Sequence, residues 1–153
     1  GAYVNTGAAA GLGAGSSARL AGTQELEFGD LRLLERIGKG AFGEVRRATW
    51  FGSEVAVKFF TEHTAEAAEM FAKEVGLISS LKHPNIVSCY GACTSRGMDK
   101  NCMVMEYVPS SLTGLLQAGP LSAGQVLEVA RGVACGMRYL HGQHVIHRDL
   151  KPS

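Results

Sequence analysis

Three groups of residues in this chain have types and spacings that could do chemistry. Gly38-Lys39-Gly40-Ala41-Phe42-Gly43-Glu44-Val45 sets three glycines at G-x-G-x-x-G, a spacing that lets backbone amides approach phosphate oxygens because no Cβ stands between them. Val55-Ala56-Val57-Lys58 follows, an apolar run ending in a lysine. An amine pointing inward from such a run needs an anion, from a ligand or from an acid elsewhere in the fold. Glu74 is the acid best placed to serve, since it lies between Phe71 and Val75 on the edge of an apolar helix face, whereas Glu66 and Glu69 fall earlier and read as solvated. The third group, His147-Arg148-Asp149-Leu150-Lys151-Pro152, carries an aspartate that is either reactive or a loop cap. The glycines by themselves also fit an ordinary turn. A dinucleotide-binding turn does not fit, because its glycines must open a helix, and here they are followed by Glu44–Trp50, a short turn at Phe51-Gly52-Ser53 and a second strand-like run.

The elements that must position these groups follow from periodicity. Leu31–Ile37, Glu44–Trp50 and Glu54–Phe60 read as a three-stranded antiparallel meander. Thr64 can cap a helix whose apolar residues Phe71, Val75, Ile78 and Leu81 are spaced by 4, 3 and 3, with Pro84 closing the segment. Ile86–Cys93 and Asn101–Val108 read as two more strands joined by the polar turn 94–100. From Ser122 to about His141, the stripe Val126, Val129, Ala130, Val133, Met137 and Leu140 predicts a helix that turns this face to a core. Residues 1–27 are rich in Gly, Ala and Ser without periodicity and read as a flexible linker, with the folded part starting at Phe28.

Of 153 residues, 46% are hydrophobic and 19% charged, the composition of a globular domain, and a net charge of +1 gives no electrostatic case for nucleic acid or an anionic membrane. No apolar run is long enough for a membrane span. Cys89, Cys93, Cys102 and Cys135 show no C-x-x-C pairing and sit in apolar stretches, which suits buried thiols in a reducing, cytoplasmic setting. His63, His83, His141 and His144 have no metal-ligand spacing with cysteines or acids.

In this order, the glycine loop, V-A-V-K, the helix acid and H-R-D-L-K-P resemble the N-terminal part of a eukaryotic protein kinase domain, over residues 28–153. Leu81-Lys82-His83-Pro84-Asn85-Ile86-Val87, Gly91-Ala92-Cys93 and Ala48-Thr49-Trp50 look most like the tyrosine-kinase-like, Raf-like serine/threonine kinases of plants and algae. The resemblance implies an α+β fold: a five-stranded antiparallel lobe with one main helix (28–104), a hinge (105–108) and the first helices of an incomplete helical lobe (109–153). It implies that Ile37, Val45 and Ala56 cover an adenine, that Gly38, Lys39, Gly40, Ala41, Phe42 and Gly43 lie over phosphates, and that Lys58 paired with Glu74 orients them. Met105 takes the gatekeeper position, and the backbones of Glu106 and Val108 meet the adenine edge. Ile78, Cys89 and His147 match positions of a packing spine. Asp149 would accept or orient the proton of a substrate hydroxyl, Lys151 would steady the transferring phosphate, and Arg148 would pair with a phosphorylated activation loop.

The implied function is ATP- and Mg2+-dependent phosphoryl transfer to Ser/Thr hydroxyls of a protein substrate, a signalling activity. The H-R-D-L-x-x-x-N pattern breaks off at Ser153, so the expected magnesium ligands, its asparagine and the D-F-G aspartate, are not in this chain, and no metal ligand is assigned within it. The chain therefore reads as an inactive fragment of an active enzyme. The alternative is a pseudokinase or nucleotide-binding scaffold that works through partners.

Overall fold

Strand alternation builds one sheet with two different faces. In the computed structural model, which describes residues 22–40, 43–60, 64–94 and 101–152, β1 (Leu31–Gly40), β2 (Gly43–Trp50), β3 (Ser53–Phe59), β4 (Cys89–Cys93) and β5 (Cys102–Glu106) form an antiparallel five-stranded sheet in the order β1-β2-β3-β5-β4. Ala41, Phe42, His63, the Ser95–Lys100 part of the polar turn and the Gly/Ala/Ser-rich 1–21 segment lie outside the described residues. On one face Val55 and Val57 of β3 pack with Ala48, Cys93, Cys102 and Val104, closed by Leu31 and Leu26 and flanked by Phe28, Leu33, Trp50 and Phe59. The period of two turns Ala56 and Lys58 to the opposite face. The hairpin from β2 to β3 turns through Phe51 (φ 47°) and Gly52 (φ 85°), the two positive values a two-residue primed turn needs.

The sheet begins to be covered ahead of Phe28. Gln24–Leu26 lies along the outer edge of β4 as a short parallel strap, with Leu26 N–H donating to Ala92 O (2.9 Å) and Ala92 N–H to Gln24 O (3.0 Å). Leu26 is buried. Both later strands are shorter than their apolar runs. Ile86 N–H bonds His83 O (3.0 Å) and Asn85 N–H bonds His83 Nδ1 (3.1 Å), so 83–86 is a turn and β4 starts only at Cys89.

Helix α1 (Ala65–Ser80) starts where expected, with Thr64 Oγ1 accepting the Ala67 N–H (3.1 Å). Phe71, Val75 and Ile78 are all buried, as is Leu81 just beyond its end.

By contact, the described residues fall into a strand-rich unit, 22–80 with 88–107, and a helical unit, 81–87 with 108–152. The helical unit holds α2 (Leu112–Ala118) and α3 (Ala123–Gly142). Ser122 and Gln125 form a reciprocal capping box at the start of α3. Its buried face is Gly132, Gly136 and Leu140, while Val126 is 53% exposed and Ala130 is exposed too, so the face is rotated from the expected stripe. A stripe read from large apolar side chains overlooks buried glycines. Tyr139 anchors the 81–87 segment to this helix: its hydroxyl accepts the Lys82 N–H (2.9 Å) and its ring stacks on His83 (4.9 Å). No described helix is long and apolar enough to cross a membrane.

Candidate functional site

In the strand-rich unit, β1 and β2 continue their pairing to the tip of the glycine segment, Gly38 facing Val45, Lys39 facing Glu44 and Gly40 facing Gly43. Gly43 must be glycine. Its φ is +139°, and a Cβ there would run into the Phe59 carbonyl of the adjacent strand. Ile37 is 44% exposed and Val45 half-buried at the mouth of this hairpin. Ala56, buried, faces Met105 across the β3–β5 pair, and Lys58 faces Val45 on one side and Met103 on the other.

Lys58 Nζ donates to Glu74 Oε1 at 2.7 Å, and each side chain is 18% exposed. The acid thus comes from the middle of α1 and the amine from the far end of β3, a charge-assisted bond in a partly dehydrated setting. The ammonium also lies 4.9 Å from the centre of the Phe60 ring, and Phe60 meets Phe71 of α1 edge-on at 4.8 Å. This aromatic bracket was not read from the sequence. The period of two gives only a hint of it, since Phe60 stands two residues after Lys58, just past the end of β3.

At the end of β5, Met105 is buried and Glu106 and Val108 are half-buried. Glu106 N–H donates to Ser88 O (2.9 Å), while Ser88 N–H goes to the Glu106 carboxylate (3.2 Å). The Ser88 amide is thus satisfied by the Glu106 side chain. Ile78 and Cys89 are both buried.

In the helical unit, the chain leaves α3 by a reversal with the hydrogen bonds of a Schellman motif, His144 N–H to His141 O (3.0 Å) and Val145 N–H to Leu140 O (2.9 Å). His144 takes the left-handed position at φ +58°. Leu140 and Val145 are both buried, as the motif's apolar contact requires. His147 is buried too, with Nδ1 accepting the Asp149 N–H (3.2 Å), which puts the ring proton on Nε2. Arg148 between them has φ +63°, an unfavourable value for a residue with a Cβ, and it turns Asp149 outward. The Asp149 carboxylate meets Lys151 Nζ at 2.9 Å, both side chains more than half exposed. Pro152 O accepts the Thr113 N–H (2.9 Å), a first-turn amide of α2, so that helix start fastens the end of the segment.

Residues 31–152 match the family model of protein tyrosine and serine/threonine kinases. The chain belongs to that family. Its relatives include the dual specificity protein kinase splA of Dictyostelium discoideum, 40% identical over 82% of this chain. A second is the mouse mitogen-activated protein kinase kinase kinase 10, 43% identical over 84%. A third is the serine/threonine-protein kinase CTR1 of Arabidopsis thaliana, 40% identical over 83%. They agree with the tyrosine-kinase-like, Raf-like character of the 81–93 segment. The chain spans only 6%, 14% and 16% of these three relatives' lengths. In this kinase domain the strand-rich unit is the five-stranded lobe, and the helical unit is the start of the helical one.

Proposed function

We propose that this chain carries the nucleotide-holding residues and the catalytic aspartate of an ATP-dependent protein serine/threonine kinase. The observation that carries the reading is the Lys58–Glu74 bond at 2.7 Å, an amine held on the face of β3 that bears Ala56 and beside the glycine hairpin. Glu74 fixes the ammonium in place, and the ammonium can then engage α- and β-phosphate oxygens as a positioned charge. Gly38, Lys39, Gly40 and Gly43 bring backbone close to the phosphates, and Ala41 and Phe42 complete the motif in sequence. Ile37, Val45, Ala56 and Met105 offer apolar surface to adenine, and the Glu106 carbonyl and Val108 amide its hydrogen-bond partners. Asp149 takes the proton of a Ser or Thr hydroxyl as its oxygen bonds to the γ-phosphorus and ADP leaves, and Lys151 steadies the transferring group. A lysine two residues after the aspartate is the serine/threonine pattern.

Magnesium supplies charge neutralisation between the β- and γ-phosphates in such reactions. No group of three His, Cys, Asp or Glu among the described residues fits it. The motif's asparagine and a D-F-G aspartate are absent from these 153 residues, so the 153-residue chain alone should transfer no measurable phosphate to a protein.

Titration calorimetry of the chain with Mg-ATP tests the nucleotide reading. Binding is expected for the natural sequence, with a loss of about tenfold or more for Lys58→Met, which removes a charge-assisted phosphate contact. No binding by the natural sequence, or equal binding by Lys58→Met, overturns it.

A further inference from the structure

The strap, a bulge in β4 and helix α1 form a continuous chain of contacts ending at the Lys58–Glu74 pair. In β4, Cys89 faces Met105 and Gly91 faces Val104, so Tyr90 is an extra residue, a β-bulge. Without it, Cys89, Gly91 and Cys93 would share a face. With it, Cys93 packs into the cluster that contains Leu26, while Cys89 turns to α1, where Ser79 Oγ donates to its Sγ (3.3 Å). The Cys89 thiol also reaches Gly91 O (3.7 Å), tying the two sides of the bulge together. The strap sits on Gly91: a Cβ there would strike Gln24 O and lie 2.8 Å from Leu26 Cγ. Thr94 at the end of β4 donates its hydroxyl to the Glu25 carboxylate. Ser79 follows Glu74 by five residues on one rigid helix, about 7.5 Å along its axis.

We propose that the strap Gln24–Leu26 is a positioning element for the Lys58–Glu74 pair: seated on Gly91, it holds the Tyr90 bulge in the phase that turns Cys89 onto α1, and α1 then keeps Glu74 against Lys58. The two bonds to Ala92 and the burial of Leu26 hold the seat, so an event that lifts residues 24–26 releases the far end of the relay. The effect on function rests on the nucleotide reading of Lys58 and Glu74, while the mechanical coupling does not.

The test uses the 153-residue chain without nucleotide, then with Mg-ATP. Leu26→Ser and Gly91→Ala unseat the strap from its two sides. Thr94→Val, a surface change that removes only the Glu25 contact, supplies a mild version should either of the first two fail to fold. Leu31→Ala, in the same apolar cluster but on β1 at the opposite edge of the sheet from β4, matches the loss of stability without unseating the strap. Readouts are amide exchange across residues 70–80 and the 15N signal of Lys58 Nζ, with Glu74→Gln marking a broken pair.

The strap variants should speed α1 exchange by about tenfold, move the Lys58 signal toward that of Glu74→Gln and weaken Mg-ATP binding severalfold. Leu26→Ile should restore all three. Leu31→Ala should lower the melting temperature with the Lys58 signal in place. Strap variants that melt early yet keep the natural Lys58 signal and α1 exchange overturn the proposal, as does a Leu31→Ala that shifts Lys58 equally. If even the natural chain binds no Mg-ATP, the nucleotide reading falls while the Lys58 signal still decides the coupling.

Discussion

Lys58 and Glu74 show how much a single residue's role depends on its partner. Each is about four-fifths removed from water, so deleting one charge leaves the other partly buried without its counter-ion. Glu74→Gln should cost about 1–2 kcal/mol in a thermal or denaturant melt, a fraction of the value for a fully buried pair, and should weaken nucleotide binding in calorimetry. The Asp149–Lys151 contact is the opposite case, because both side chains are more than half exposed. Lys151→Ala should leave stability unchanged within about 0.5 kcal/mol. The types and order of these four residues were legible in the sequence. That Phe60 would lie over the ammonium, and that Arg148 would sit at φ +63°, was not, since both depend on neighbours the fold brings in. Gly43 joins the two levels. It reads as a phosphate-loop glycine, yet the nearest obstacle to a side chain is the Phe59 carbonyl. Gly43→Ala should cost about 2 kcal/mol or more through a positive φ and a displaced strand, measurable with no nucleotide present.

Element ends decide where the helical unit's reactive segment goes. The capping box at Ser122 and the reversal at His144 bound α3, and the reversal directs Val145 and His147 inward. Ser122→Ala should cost about 1 kcal/mol. His144→Gly should act in the other direction and stabilise by up to about 1 kcal/mol, because it relieves a left-handed histidine. Opposite signs from the two ends of one helix, measured in the same melt, check both assignments. Helix α1 and its cap were readable from Thr64 and from spacings of 4, 3 and 3. Helix α2 was not: it has seven residues, one of them Gly114, too few for a period to show. The rotation of α3 onto Gly132, Gly136 and Leu140 was hidden for a related reason, since a pattern of large apolar residues passes over glycines.

Across the whole molecule, the cysteines report how the described residues are packed. Cys89, Cys93 and Cys102 are buried and Cys135 is half-buried, none of the four in a disulfide. Cys102 donates its proton toward Cys93 across the β4–β5 pair, and that bond together with burial pushes the Cys102 thiol far above its ordinary value. An aromatic disulfide reagent should therefore label one thiol, Cys135, quickly in the native chain and the other three only at the rate of unfolding. Sequence by itself determined the family, the order of the strands along the chain and the identity of the charged pair. Those depend on residue type, spacing and period, which are local properties. Tertiary structure alone decided that a segment ahead of Phe28 would close the β4 edge, that a bulge at Tyr90 would divide β4 between two partners, and that Lys58 would rest 2.7 Å from Glu74 beneath an aromatic ring. These are meetings of residues far apart in the chain, and no local pattern encodes which surfaces the packed sheet brings together.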